Sequence, residues 1–378
     1  MQRNINIMYL TALLQGMVFY APIATLYRSA VGVTISQIAV IESISLVLSF
    51  VFELPWGILA DRIGYKKTII VCNALYFVSK LVFWKATGFF GFFAERVLLA
   101  IVISGLSGVD VSILYLSSPP QKSHKVFSIY SALGTAGLLL ASLVYSVFIG
   151  SNFRSAAALT VLSYGAAALL SLLLKEVRHP KKDRFSPKEL LISLKSTIQD
   201  KKLLLFLLAF ALFSQTYQSV TVFFSQLKFE SLGASSHIIG AVHIVITLAG
   251  LVSVFSEKLT KTRHRKALVI LPLLGTFFCV ALATSSSLFF SAAAVILIQG
   301  VFSIFEPLKI SLESRMTESD DRATALSINT IITDSTSAGI SVMLGYAAEK
   351  SLSLSFVLCA VLCCVSAVIM KLSKGSIH

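Results

Sequence analysis

Glu53-Leu54-Pro55-Trp56-Gly57-Ile58-Leu59-Ala60-Asp61-Arg62-Ile63-Gly64-Tyr65-Lys66-Lys67 is the stretch that decides how this chain is read. An apolar run over 34–60 ends in it, and a second run over 67–84 leaves it. Each run approaches or exceeds the ~20 residues that cross a hydrocarbon core as a helix. The stretch therefore reads as a short, charged connection between two membrane spans. Working outward from it, ten further runs appear at 5–27, 89–117, 124–149, 155–175, 203–227, 235–256, 267–284, 288–314, 322–348 and 352–371. Helices are the reading for all twelve, because an open strand edge cannot sit in lipid.

Composition agrees. The 378 residues are 56% hydrophobic and 13% charged, against about 25% charged in an ordinary soluble domain. That rules out a disordered chain and makes a soluble enzyme a poor fit. The charge that remains is lopsided, with 32 Lys+Arg against 18 Asp+Glu and a net +14. Assigning the connections alternately to two sides places 24 basic residues with the termini, five opposite, and Lys80, Arg96 and Lys309 inside spans. The five are Arg28, Lys85, Arg154, Lys228 and Lys350. Such a bias puts both termini in the cytoplasm, as expected of a multi-pass protein of the bacterial plasma membrane. The excess is topological, so no nucleic-acid partner is expected. The first run is too long for a signal-peptide core and is expected to be retained as a helix. All five cysteines lie in apolar runs without metal-ligand spacing, so neither a metal nor a disulfide framework is expected.

Segment 176–202 is long, polar and basic, and divides the chain into six-span halves at 1–175 and 203–378. It reads as a solvated cytoplasmic linker that also touches anionic lipid heads. The halves echo one another. Asp61-Arg62 with Lys66-Lys67 after the second run recurs as Glu257-Lys258 with Arg265-Lys266 after the eighth. Lys125-Val-Phe-Ser at the fifth run is echoed by Arg322-Ala-Thr-Ala-Leu-Ser at the eleventh. Duplicated six-helix halves are a transporter signature, with the site between halves near the midplane.

Gly57-Ile-Leu-Ala-Asp61-Arg62-Ile-Gly64-Tyr-Lys66-Lys67 resembles the signature loop of the major facilitator superfamily, and Arg322-Ala-Thr-Ala-Leu-Ser resembles the start of its helix 11. With twelve spans in a 6+6 repeat, the resemblance covers essentially the whole chain. It implies an all-α membrane fold of two pseudo-symmetric halves and a transport function. It also implies a gating role for Gly57, Asp61, Arg62, Gly64, Lys66 and Lys67, with Asp61 reaching the N-terminus of helix 11. A carboxylate there is worth about 0.3–1 kcal/mol, enough to bias one state. The glycines allow a tight turn and close helix approach. Two departures stand out. Tyr65 replaces an arginine common in the family, and Leu116 replaces the acid that pairs with it, so both partners are missing together. The fifth run keeps only Gly134-Thr-Ala-Gly137 of an antiporter glycine motif.

Ionisable residues inside spans are functional candidates, because each costs at least ~2.5 kcal/mol on insertion scales. The acids are Glu42, Glu53, Glu95, Asp110, Glu306 and Asp334. Asp334 belongs to a one-faced stripe Ser327, Thr330, Asp334, Ser337, Ser341, and helix 2 carries a matching stripe Glu42, Ser45, Ser49, Glu53. The resemblance packs these helices together, and facing acids in a desolvated seam favour proton uptake. Arg96 loosely matches a buried family arginine linked to coupling, with Glu95 as its local partner or an outer-rim residue. Asp110 stands about 40° from Arg96 around the same predicted helix. Lys309 lies one turn from Glu306, and Glu313 lies seven residues beyond Glu306. The resemblance points Gln15, Tyr20, Gln215, Gln218 and Gln299 into the cavity. His237 and His243 are read as structural.

The expected function is secondary active transport of a small amphipathic or hydrophobic molecule by alternating access. Protons are the expected driving ion, with sodium as the alternative, and efflux is the expected direction. Uptake by symport of a small metabolite is the runner-up, and a non-transporting receptor of the same fold is a further alternative. No Walker loop, His-Glu-x-x-His or Gly-x-Ser-x-Gly appears, so no enzyme and no cofactor is expected. The protein is expected to work as a monomer in the bilayer.

Overall fold

The computed structural model describes residues 2–119, 123–177, 197–260, 264–316 and 322–372, without the side chains of Leu54, Asp61, His124, Arg265, 314–316 and 322–325. The helices of the N-terminal stretch are α1 (Gln2–Gly16), α2 (Ala24–Ala30), α3 (Ile35–Ile63), α4 (Tyr65–Lys85), α5 (Phe89–Leu106), α6 (Val109–Ser117), α7 (Ser123–Val144) and α8 (Phe153–Ser171). Those that follow are α9 (Lys201–Gln218), α10 (Ser225–Ser231), α11 (Ser236–Ala249), α12 (Ser256–Thr260), α13 (His264–Thr284), α14 (Leu288–Met316), α15 (Arg322–Lys350) and α16 (Leu352–Leu372). Among the described residues no strand occurs, and 11 segments are long and apolar enough to cross a membrane. The remaining predicted run is α15, a helix of 29 residues that carries the Asp334 stripe.

The main departure from the sequence reading is that several spans are not continuous helices. The run 5–27 is interrupted between α1 and α2 by residues 17–20 and a 3-10 turn, Ala21–Ile23. Pro22 supplies no N–H there. The freed backbone is satisfied locally. Phe19 N–H donates to Thr160 Oγ1 at 3.0 Å, and Val18 N–H donates to the Gly16 carbonyl at 2.8 Å. Non-helical backbone at membrane depth persists only when its polar groups find such partners. The run 89–117 likewise breaks at Ser107-Gly108, where Gly108 adopts φ +75°. A π-helical stretch, Ser219–Phe224, joins α9 to α10, and another, Tyr145–Ile149, extends α7.

Two compact units are present. The first comprises Met1–Val33, Ile44–Lys182 and Ser235–Ile244, and the second comprises Thr34–Ser43, Asp183–Ala234 and Val245–His378. Lipid is as apolar as leucine, so packing within each unit rests on close steric fit rather than on hydrophobic burial alone. In the first unit, α1 and α7 touch at backbone level. A Cβ on Gly137 would stand 3.1 Å from the Gly16 Cα and press on the Leu13 carbonyl oxygen. The reduced motif Gly134-Thr-Ala-Gly137 is thus the contact surface for α1. In the second unit, Phe206, Phe210, Phe213, Phe302 and Phe305 form the aromatic part of a core shared by α9, α13, α14 and α16.

The signature turn lies between α3 and α4. Gly64 has φ +89° and ψ 156°, a region open essentially to glycine. The Glu176 carboxylate lies against it and accepts the Lys66 N–H at 3.3 Å, placing negative charge at the N-terminus of α4. Tyr65 packs on a buried cluster that includes Ile5, Met8, Ile69, Leu114 and Leu174.

Candidate functional site

The first unit holds four charged side chains in one buried cluster. On α4, Asn73, Tyr76, Lys80 and Phe83 recur at steps of three and four and share one face. Lys80 is 4% exposed, and its Nζ donates to the Tyr20 hydroxyl at 3.0 Å. Tyr20 sits in the interruption of the first span, and its ring stacks on Phe83 at 3.9 Å with 11° between planes. The interruption also lets the chain reach Arg28 while still buried; α2 carries this residue in its last turn at 2% exposure.

All three cations converge on Glu95 of α5. Its carboxylate oxygens stand 3.9 Å from Arg28, 3.8 Å from Lys80 and 3.7 Å from Arg96. Aromatic faces complete the enclosure. Lys80 Nζ lies 5.1 Å from the ring centres of both Tyr76 and Tyr164, and Arg28 lies 5.7 Å from Phe83 and 5.8 Å from Phe92. Cations over such faces gain about 0.5–2 kcal/mol each. The polar lining continues through Asn73, whose Oδ1 accepts from Gln15 Nε2 at 2.9 Å, and through Tyr164, whose hydroxyl donates to the Gln15 carbonyl at 2.6 Å.

The second unit holds a neutral counterpart. Tyr217 of α9 stacks on Phe302 of α14 at 3.9 Å with 5° between planes. Its hydroxyl donates to Gln299 Oε1 at 3.0 Å, and Gln299 Nε2 donates to Ser303 at 3.2 Å. Two helical turns on from Phe302, Lys309 Nζ sits 4.3 Å over the Phe210 ring and pairs with the buried Glu313.

The remaining sequence-predicted residues are placed as follows. Gln15 and Tyr20 belong to the first-unit network and Gln299 to the second, while Gln215 is buried and donates to Ser219, at the start of the π-helical stretch, at 3.3 Å. Gln218 and Glu53 are exposed, and Glu42 and Asp334 are half-buried. Glu306 is exposed, and the ion pair of Lys309 is with Glu313, one turn on, rather than with Glu306. Asp110 has no fixed angular relation to Arg96, because the helix breaks between them. Instead it lies in the first turn of α6, accepting the Val111 N–H at 2.7 Å and facing the Tyr130 hydroxyl at 3.5 Å. Among the five basic residues assigned to outer connections, two are buried in helices. They are Arg28 and Lys228, the latter donating to the Ser285 carbonyl at 2.7 Å. His243 meets Ser142 at 3.1 Å, and His237 Nδ1 lies 2.6 Å from the Ser146 carbonyl oxygen. Among the described residues, no group of His, Cys, Asp and Glu is arranged to hold a metal ion.

Comparison with known proteins gives the family. The model of the Major Facilitator Superfamily matches residues 5–333. The chain belongs to the Major Facilitator Superfamily. Within the superfamily, its fold is similar to that of a variant of the nucleoside transporter NupG, with a TM-score of 0.81 at 14% identity over 99% of both chains. It is also similar to a D-xylose-proton symporter, with a TM-score of 0.74 at 16% identity over 98% of this chain and 97% of that one. An uncharacterised MFS-type transporter of Methanocaldococcus jannaschii is 26% identical over 140 residues, 36% of each chain. An uncharacterised transporter of Buchnera aphidicola is 36% identical over 106 residues, 27% of this chain and 26% of its own. The matched region therefore spans about a third or less of these curated relatives.

As a member of the superfamily, the protein is a multi-pass membrane transporter and not an enzyme. Of its signature residues, Gly64 makes the turn and Lys66 receives Glu176 through its backbone, while Arg62 and Lys67 are exposed. Gly57 has open space where a Cβ would stand, so among the described residues no helix approaches it closely. The expected contact between Asp61 and the start of α15 lies outside the described residues. Sequence reasoning assigned no role to Asn73, Tyr76, Tyr164 or Lys80. Lys80 was visible as a charge inside an apolar run, and the 3-4 spacing with Asn73 and Tyr76 was the signal that would have found the face.

Proposed function

We propose that this transporter moves a small amphipathic molecule by alternating access of its two six-helix halves, as a proton-driven exporter of the cytoplasmic membrane with both termini inside. The observation that carries this reading is the pair of aromatic and amide constellations. One is Tyr20, Tyr76 and Tyr164 with Gln15, and the other is Tyr217 and Phe302 with Gln299. Such surfaces bind an apolar body by stacking and fix its polar end by a few hydrogen bonds. Proton coupling is assigned to the carboxylates inside the spans, foremost Asp334, half-buried on α15 beside Thr333 and Ser337. The protein is taken to work as a monomer without a cofactor.

Purified protein in liposomes loaded with a pH-sensitive dye tests the reading. Amphipathic compounds supplied on the cytoplasmic side should drive counter-movement of protons, and Asp334→Asn should abolish gradient-driven transport while leaving exchange without a gradient. Gradient-driven transport unchanged in Asp334→Asn removes that residue from the mechanism. Failure of every bound compound to exchange across the bilayer removes the transport reading.

A further inference from the structure

We infer that the transported molecule carries a protonated amine on an apolar body, and that Glu306 of α14 receives the ammonium group beside the Tyr217–Phe302 stack. This names the substrate class for the transport reading above and rests on it. The first observation is a carboxylate that the protein does not neutralise. Glu306 lies inside the apolar span Leu288–Glu313, about 15 Å short of the Met316 end of α14. Among the described residues it makes no ion pair and no hydrogen bond. A cation stands nearby on the same helix and is turned elsewhere: Lys309 Nζ pairs with Glu313 and rests 4.3 Å over the Phe210 ring. An acid within a span is costly and faces the bundle interior or a water-filled cavity. One kept there without a partner is a ligand site by default.

The second observation is what surrounds this carboxylate. Gln299, Ser303 and Glu306 recur at steps of four and three along α14, with Phe302 one turn before Glu306. A helical side chain leans over the turn that precedes its own Cα. Glu306 is thereby carried towards Phe302, on which the Tyr217 ring lies at 3.9 Å, and its charge reaches the Tyr217 phenol. Glu306 is exposed and Tyr217 half-buried, so both are open to a ligand. The donors of this face are spent inside the protein. Tyr217 gives its hydroxyl proton to Gln299 at 3.0 Å, and Gln299 Nε2 donates to Ser303 at 3.2 Å. Pro307 has no N–H, so the Ser303 carbonyl lacks its usual helical donor and adds an acceptor next to the carboxylate. An ammonium group fits such a set, because it donates to both oxygens and its charge is attracted to an aromatic face. An anion is repelled by Glu306, and a neutral molecule leaves that charge without a partner.

Matched pairs of compounds test the inference by thermal shift on the detergent-purified full chain, near neutral pH where the amines are protonated. The panel sets tryptamine against tryptophol, phenethylamine against 2-phenylethanol, and 4-phenylbutylamine against 4-phenylbutanol. At least one amine should stabilise the protein saturably, with its alcohol at least tenfold weaker. Glu306→Gln should weaken that amine at least tenfold and bring it level with the alcohol, and Glu306→Asp should restore part of the loss. Without ligand, Glu306→Gln should melt within about 1 °C of the parent, since no pair is lost. Equal binding of amines and alcohols overturns the inference, as does amine binding unchanged in Glu306→Gln, or no amine binding at all. A ligand-free melting temperature that falls well beyond that margin also overturns it, by giving Glu306 a structural partner. Liposome counterflow then separates the two readings. An amine that binds through Glu306 and never exchanges leaves the cation site and removes transport. Exchange of other compounds by a protein that binds no amine leaves transport and removes the cation site.

Discussion

The sharing of Glu95 by three cations makes a prediction about the order of damage. Removing the carboxylate takes the shared partner from Arg28, Lys80 and Arg96 at once, whereas removing Lys80 leaves Glu95 with two cations beside it. At 3.8 Å and an effective dielectric of about 20, a single pair is worth roughly 4 kcal/mol before desolvation and repulsion are set against it. The contact with Arg96 counts for less, because 23% of that side chain is exposed. Breaking a buried pair by deleting one partner costs about 3–5 kcal/mol, and Glu95→Gln belongs at that end because it removes the carboxylate that all three cations share. Lys80→Met keeps the apolar stem of the side chain and loses mainly the hydrogen bond to Tyr20, about 0.5–1.5 kcal/mol. With about 2 °C lost per kcal/mol in a chain of this size, Glu95→Gln should lower the melting temperature by roughly 6–10 °C and Lys80→Met by about 1–3 °C. The double variant Glu95→Gln/Lys80→Met should recover part of the deficit, with a coupling of about 0.5–3 kcal/mol. Tryptophan fluorescence during heating reports on this region directly, since the Trp84 carbonyl accepts from Tyr27 at 3.3 Å. The reasoning fails if Lys80→Met is as damaging as Glu95→Gln, or if the double variant is worse than both.

Other substitutions test single features of the fold, each by the same melting measurement. Gly64→Ala should cost about 1–3 kcal/mol, because the backbone conformation excludes a side chain and the Glu176 carboxylate occupies its space. Gly57→Ala, with open space beside it in the C-terminal part of α3, should gain about 0.5–1 kcal/mol, which sets the two glycines of one motif in opposition. Gly137→Val should cost at least about 1–3 kcal/mol by forcing α7 away from α1, and a neutral outcome would contradict the backbone contact with Gly16. Tyr217→Phe should cost about 0.5–1.5 kcal/mol, since it loses the bond to Gln299 and keeps the stack on Phe302.

The architecture was readable because it depends on properties that are local in sequence. Apolar run length locates the spans, and the Gly64-Tyr65-Lys66-Lys67 turn carries its own backbone requirement. The cluster was only half legible. Arg96 and Glu95 are neighbours in an apolar run and announce themselves. Arg28 did not, because it lies one residue beyond the predicted end of the first span and counted as a topological charge. Its burial follows from the interruption at 17–23, and no hydropathy average registers an interruption. Asp110 misled for the same reason. Its angular relation to Arg96 assumed a continuous helix, and Gly108 at φ +75° removes that assumption. Periodicity is reliable only as far as the helix runs, and glycine and proline inside the apolar runs were the positions at which to doubt it.

The interruptions are also what build the site. A straight helix over 5–27 would satisfy its own backbone and point Tyr20 and Arg28, eight residues apart, about 80° from one another around the axis. The observed path gives up helical bonds at residues 17–20 and recovers one of them from Thr160 of α8. In exchange, Tyr20 meets Lys80, and Arg28 enters a shell lined by Phe83 and Phe92. Thr160 is thus the residue that holds the interruption in place, since its hydroxyl both accepts from Phe19 and donates to the Ala156 carbonyl at 3.0 Å. Thr160→Val keeps the shape of the side chain and leaves the Phe19 N–H unsatisfied at membrane depth, a loss of about 1–3 kcal/mol. Because the change lies outside the cluster around Glu95 and removes none of its charges, any weakening of substrate binding in Thr160→Val would have to pass through the backbone at 17–20. Thr160→Ser, which keeps the hydroxyl, should bind as the parent does; if Ser and Val behave alike, the hydroxyl is not what holds the interrupted helix, and the link from helix break to binding site is wrong.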